Sequence, residues 1–161
     1  LAELFSFSKI STAPARFDIE ELKTLNAKLL HKLPYEFVQD RLVRLGITGG
    51  DPFWQAVHGN LTVLTDARLW WDVVSSEIVP VIENSDFTLK AQALLPEEPW
   101  TEATWQEWTN AIKAATGAKG RALYHPLRLA LTAQEQGPEL KYLLPLIGRD
   151  RAHARLAGKT G

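Results

Sequence analysis

Leucines and isoleucines at helical spacing dominate the first third of the chain. In FDIEELKTLNAKLLHKL, Ile19, Leu22, Leu25, Leu29, Leu30 and Leu33 recur with that period, and Asp18 with Glu21 forms a D-x-x-E capping signature, predicting a helix. Pro34 suits the first turn of a second helix, PYEFVQDRLVRLG, with Phe37, Val38, Leu42 and Leu45 on one face and Gly46 as its stop. The two should form a tight αα hairpin. GITGGDP reads as a turn, a third helix starts near Asp51 or Pro52, and a fourth runs from about Thr65 through ARLWWDVV. Residues 75–87 admit a β-like run or a helix broken at Pro80; the proline favours a loop with a short helical turn.

The second half repeats the helical pattern after PEEPW, whose two prolines mark a boundary between packed subdomains. Thr101 caps a long helix closed by Gly117, with Trp105, Trp108, Ile112 and Ala115 along one stripe. ALYHPLRLALTA follows, begun or kinked by Pro126. GPELKYLLPLIG has Pro138 near its first turn and Gly148 at its end, and RDRAHARLA completes the chain. The class is all-α, with one helical subdomain at 18–95 and a second at 96–161.

Composition narrows the chemistry. Among 161 residues, 18 basic side chains face 19 acidic ones and 45% are hydrophobic, as in an ordinary globular protein. The balance hides an asymmetry: residues 76–112 carry one basic and seven acidic groups, residues 113–161 nine and three. Such a split suits a polyanion or an acidic partner, or mutual neutralisation within the fold. No cysteine is present, and His31, His58, His125 and His153 lack metal-motif spacing. No apolar run approaches the ~20 residues of a membrane span, and LAELFSFSKI lacks the apolar core of a signal peptide. With no methionine even at its start, the chain is expected to be a piece of something longer.

Catalytic motifs are missing: no G-x-S-x-G, no G-x-x-x-x-G-K-[ST], no G-x-G-x-x-G, no H-E-x-x-H. Glu97 with Glu98, and Glu102 with Glu107, read as a helix start and a solvated face. A binding surface remains. Trp54, Trp70, Trp71, Trp100, Trp105 and Trp108 are able to stack bases, although most fall on apolar faces as core. Lys119, Arg121, Arg128, Lys141, Arg149, Arg151 and Arg155 supply the positive third, and the guanidinium fork suits phosphates and base edges. These residues alone leave a helical RNA-binding module and a helical protein-interaction module without an RNA ligand both open.

Three segments carry a resemblance. GRALYHPLRLALTAQEQGPELKYLLPLIGRDRAHARL is similar to the C-terminal signature of bacterial glutamyl-tRNA synthetases, ARFDIEELKTLNAKLLHKL to the stretch just beyond that family's catalytic and stem-contact region, and EPWTEATWQEW lies between them in the family's order. The resemblance implies an all-helical cage of two subdomains that reads the tRNA anticodon, with residues 1–17 as the remnant of a junction to a missing catalytic region. It implies a cytoplasmic parent enzyme that uses ATP and Mg²⁺ to join glutamate to tRNA, and a monomeric fragment that needs no cofactor and is inert alone. The run Lys9–Ala13 lacks the second lysine and final serine of the family's K-M-S-K-S loop.

The same resemblance places residues. The P-L-R arginine, Arg128, contacts an anticodon base; Gly137 and Leu140 approach the anticodon; Asn110 occupies a position that is arginine in some members; Arg121 joins them as a basic RNA-binding candidate. Aligning V-L-T-D at Val63–Asp66 puts Asn60 where glutamate-specific members carry the arginine that accepts cytosine and opposes guanine. Asparagine lacks that fixed positive fork. Relaxed discrimination between glutamate and glutamine tRNAs follows as an expectation, unless Arg68 supplies the charge.

Overall fold

A computed structural model describes residues 19–161. Asp18 and its expected cap, the junction 1–17 and the Lys9–Ala13 run lie outside the described residues. The helices are α1 (Ile19–Lys32), α2 (Gln39–Arg44), α3 (Gly50–Val57), α4 (Ala67–Ser75), α5 (Ser85–Ala93), α6 (Glu102–Thr116), α7 (Arg121–Thr132), α8 (Leu140–Ile147) and α9 (Arg149–Leu156). Single 3-10 turns stand at Tyr35–Phe37, His58–Asn60 and Leu64–Asp66. No strand occurs among the described residues, so the all-α expectation holds.

Helix α8 is the hub, and its sequence explains why. LKYLLPLI buries Leu140, Leu143, Leu144 and Ile147, more apolar surface than one stripe, and a helix apolar on several sides needs several neighbours. It packs against α6 most extensively, and against α3, α4 and α9. Helix α9 rests in turn on α5 and α7. One apolar core therefore runs from Leu30 to Leu156, across the PEEPW segment. Three indoles fasten it to the backbone: Trp54 Nε1 donates to the Leu33 carbonyl at 2.8 Å, Trp108 Nε1 to that of Ala91 at 2.8 Å and Trp100 Nε1 to that of Pro96 at 3.1 Å.

Several boundaries follow side-chain chemistry. Thr101 Oγ1 accepts from the Ala103 amide and Thr104 Oγ1 from the Thr101 amide, satisfying donors that a helix start leaves open. Gly117, at φ 74°, closes α6 in the left-handed region. Asp66 accepts from the amides of Thr62 and Val63 and so starts the turn that leads into α4.

Four expectations are corrected. PYEFVQDRLVRLG is not one helix: a 3-10 turn with about 3.0 residues per turn, against about 3.6 for an α-helix, precedes α2. The change of pitch buries Val38 and Leu42 but leaves Phe37 68% exposed. No αα hairpin forms either, for α1 packs chiefly on the turn at His58–Asn60, where Asn26 Nδ2 donates to the Thr62 carbonyl at 2.6 Å and His31 Nε2 lies 3.1 Å from that of Leu61. The stretch after Ser75 contains no helical turn; Ile78 exchanges backbone hydrogen bonds with Gly161, and the Val81 amide donates to Leu129. Helix α5 then begins at Ser85, capped by Asn84, whose side chain accepts from the Phe87 amide at 3.1 Å. Ala115, placed on the Trp stripe, is exposed.

Candidate nucleic-acid interface

Where α6, α7 and the start of α8 converge, a cavity of about 340 Å³ opens, lined by Trp105, Gln106, Tyr124, Arg128, Glu139, Leu140 and Lys141. Each side chain is there for a local reason. Buried Trp108 fixes α6 in the core; Trp105, one turn earlier, meets it edge-on at 5.7 Å and 67°, and remains half-buried at the surface. Tyr124 and Arg128 sit four residues apart on α7 and share one face. Pro138 ends the loop before α8, and its carbonyl accepts from Arg128 Nη2 at 3.1 Å.

The other Arg128 nitrogen, Nη1, is buried without a hydrogen-bond partner. Burial lowers the pKa of the guanidinium from its usual value. An unmade hydrogen bond at a buried cation is costly unless a ligand completes it. The walls suit a planar ligand: the Trp105 and Tyr124 rings lie 6.2 Å apart, tilted by 36°. Two stacked contacts at ~3.5–4 Å each need ~7 Å or more, so the rings leave room for a planar ligand against them and not between them. Lys113 stands over Tyr124 at 5.8 Å from the ring centre. Lys141 lies over Tyr142 at 4.9 Å and 3.7 Å from a Glu139 carboxylate oxygen, and both neighbours raise its pKa, Tyr142 the more. The site offers aromatic surface, fixed positive charge and an unpaired donor, a combination matched to a nucleobase with its phosphates.

Of the residues singled out in the sequence, Arg128 and Leu140 meet in this cavity. Asn110 stands one turn beyond it and accepts from Gln106 Nε2 at 3.1 Å. Gly137 serves from behind, because any Cβ there would collide with the Trp70 ring, and its loop carries the Pro138 carbonyl. Arg121 is exposed at the start of α7, 3.4 Å from His125 Nε2. Asn60 is exposed at the end of the turn beneath α1 and does not line the cavity. Arg68, the alternative source of charge there, is committed to the Leu45 carbonyl at 2.9 Å and Asp72 at 3.2 Å.

The positive third divides on inspection. Arg155 is wholly buried and donates to the carbonyls of Gly161, Leu131 and Ser76; burial, and the nearby Arg151 charge, lower its pKa to about 10. Arg151 donates to the Ser75 carbonyl, and Arg149 to that of Pro96 while lying 3.4 Å from Glu97. These three arginines hold the fold, and Arg149 partly neutralises the acidic middle. Trp54 and Trp108 are core, with Trp70 nearly so; Trp105 alone of the six lines the cavity. Gln106, Tyr124 and Glu139 were not apparent beforehand, although Tyr124, one helical turn before Arg128, carried the spacing that marks a shared face.

Residues 84–159 match the family model described as an anticodon binding domain, and the helical cavity they build defines the class: an all-α anticodon-binding module. Glutamate–tRNA ligase 2 of Methylorubrum populi is 51% identical over 162 residues, covering 99% of this chain and 36% of the relative. Glutamate–tRNA ligase 1 of Parvibaculum lavamentivorans is 52% identical over 160 residues, with the same coverage. Two solved structures share the fold: the glutamate-tRNA synthetase of Elizabethkingia anophelis, at TM-score 0.68 and 17% identity over 87% of this chain, and a glutamate tRNA ligase of Elizabethkingia meningosepticum, at 0.70 and 16%. They cover 31% and 32% of those chains. The chain belongs to the glutamate–tRNA ligase family, of which it is the anticodon-binding part, and it spans about a third of the length of the relatives it matches.

Proposed function

We propose that this chain grips the anticodon of a tRNA for a ligase that joins glutamate to that tRNA. The observation that carries this reading is the Arg128 cavity: a half-buried guanidinium with one nitrogen unpaired, beside two aromatic rings and at the head of α8. A splayed base stacks on Trp105 and Tyr124 while an acceptor on it completes Arg128, and Lys113, Lys141 and Arg121 meet the backbone phosphates. No group of three or more His, Asp or Glu side chains suited to a metal ion occurs among the described residues. In this reading glutamate activation with ATP and Mg²⁺ falls to the remainder of the ligase, and no step through either is assigned to this chain.

Asn60 contributes to the choice of tRNA. With asparagine in place of an arginine fork, a guanine at the end of the anticodon meets less opposition, and glutamine tRNAs become ligands beside glutamate tRNAs. The protein works as a single copy in the cytoplasm; no helix among the described residues is long and apolar enough to cross a membrane.

Titration of the chain with glutamate and glutamine tRNA transcripts, followed by tryptophan fluorescence at two salt concentrations, tests the reading. Saturable binding that weakens with salt, log affinity falling by ~0.7 per single-strand phosphate for each tenfold rise, supports it. Binding that Arg128→Ala leaves intact refutes the role given to the cavity.

A further inference from the structure

A polar side chain from a second helix shares the lining of this cavity with Arg128. Gln106 lines the cavity from α6, and its Nε2 is turned away to donate to Asn110 Oδ1 at 3.1 Å. That bond leaves Gln106 Oε1 as the atom facing a ligand, an acceptor. In the same lining, Arg128 Nη1 is an unpaired donor with essentially no exposed surface. Only an atom that projects from a ring can reach a donor so enclosed, and on a nucleobase the projecting acceptor is a carbonyl oxygen.

Resting on the reading of this cavity as an RNA site, we propose that Gln106, oriented by Asn110, makes the Arg128 cavity specific for bases in which a carbonyl stands next to a ring N–H. Uracil and guanine have this lactam edge. With the carbonyl on Arg128, the adjacent N–H of either base faces Gln106 Oε1, and both partners are satisfied. Cytosine reaches Arg128 only through its own carbonyl, which brings a bare ring nitrogen against the Gln106 oxygen, acceptor against acceptor. Adenine has no carbonyl to offer. Glu139 does not supply the same contact, since its carboxylate is paired with Lys141 Nζ at 3.7 Å. Gln106 is thereby a specificity-determining residue, and Asn110 its positioning residue. Discrimination of this kind combines the hydrogen bond made to the right base with acceptor facing acceptor in the wrong complex.

The test is titration of the chain and its Gln106→Met variant with the trinucleotides UUU, GGG, CCC and AAA, following the Trp105 indole N–H by NMR. Gln106 and Asn110 are exposed, so the fold tolerates both substitutions. The proposal expects Gln106→Met to weaken UUU, GGG or both about tenfold, the size of a lost base-edge contact, to strengthen CCC severalfold by removing the opposed acceptor, and to leave AAA within about twofold; which of UUU and GGG responds identifies the base. Asn110→Asp, which can only accept and therefore keeps Gln106 in the same orientation, is expected to keep the parent chain's order of preference among the four trinucleotides. Equal losses for all four trinucleotides, or none for any, would overturn the role of Gln106 while leaving the cavity an RNA site. No change at Trp105 with any trinucleotide would instead overturn the RNA reading on which the proposal stands.

Discussion

Two arginines of the C-terminal third, Arg128 on α7 and Arg155 on α9, look alike in the sequence and are opposites in the structure. Arg155 is fully buried, and each of its three nitrogens donates to a backbone carbonyl, from Gly161, Leu131 and Ser76. Arg128 is half-buried, spends one nitrogen on Pro138 and keeps another enclosed without a partner. A buried cation whose donors are all satisfied is a fastening; one that retains an unmade bond is a socket. Both have lowered pKa values through desolvation, that of Arg155 to about 10, and both remain charged at neutral pH. Pairing of donors, not charge or burial, separates fold from site here.

The largest effect expected from breaking this comparison is at Arg155. Its carbonyl partners tie three separate pieces together: the end of α7, the extended stretch after Ser75, and the backbone beyond α9. Arg155→Met removes all three bonds and leaves the buried Leu131 carbonyl without this donor, while the Gly161 carbonyl keeps the Ile78 amide, and should destabilise the chain by about 3 kcal/mol. For a protein of this size that is a fall in Tm on the order of 10 °C, measurable by thermal unfolding followed by circular dichroism. Arg155→Lys should recover little, because one ammonium cannot reproduce a three-armed fork. Wild-type stability in either variant would show that the fastening is dispensable.

Gly137 comes next. Its backbone passes so close to Trp70 that a single methyl would overlap the indole, and forcing extra volume into a packed contact costs about 1–3 kcal/mol. Gly137→Ala should therefore lower stability and, by shifting the loop that carries the Pro138 carbonyl, weaken RNA binding as well. Denaturant titration beside an RNA titration checks both halves; loss of affinity with no loss of stability would place Gly137 at the RNA itself.

These cases also show what the amino-acid pattern could disclose. Thr101, the Trp stripe and Gly117 bracket α6 correctly because caps and periodicity are local physics. Helix α5 escaped notice since only Thr88 and Ala91 of its nine residues are buried, too few to create a period. Ile19, Leu22, Leu25 and Leu29 predict α1, yet they stand 67%, 53%, 55% and 64% exposed. Periodicity reports which side chains share a face and nothing about what that face meets. The cavity was legible in part: Arg128 and Leu140 were named through family resemblance, and Trp105 as one candidate among six. Gln106 and Tyr124 were not, because joining α6 to α7 across the cavity is a matter of packing, and the same holds for the opposite fates of Arg128 and Arg155.

Arg128→Ala sharpens the comparison from the other side. Removing it forfeits one hydrogen bond to Pro138 but also removes a desolvated cation with an unmade bond, so stability should move by no more than about 1 kcal/mol. RNA affinity should fall by about 1–3 kcal/mol, roughly ten- to a hundredfold, the size of a lost base contact. The pairing of a small stability change with a large affinity change is the mark of a socket. A result like that expected of Arg155→Met, unfolding first and binding only as a consequence, would assign Arg128 to the scaffold.

The smallest expected effect is at Asn60, which tests whether recognition extends beyond the Arg128 cavity. Asn60 is exposed beneath α1, outside the cavity lining, and the nearby Arg68 is held by Leu45 and Asp72. Arg68 is thus not free to oppose a guanine from beside Asn60. Asn60→Arg should restore a guanidinium at an exposed position, where stability changes stay within about 0.5 kcal/mol. Its influence should appear as a ratio: affinity for a glutamine tRNA relative to a glutamate tRNA should fall by about 1 kcal/mol, some fivefold, the low end of base-contact discrimination because the new side chain has no scaffold to orient it. Parallel titrations with the two transcripts measure that ratio directly. An unchanged ratio, with Arg128→Ala still weakening binding to both, would confine base reading to the cavity and leave Asn60 a surface residue under a helix.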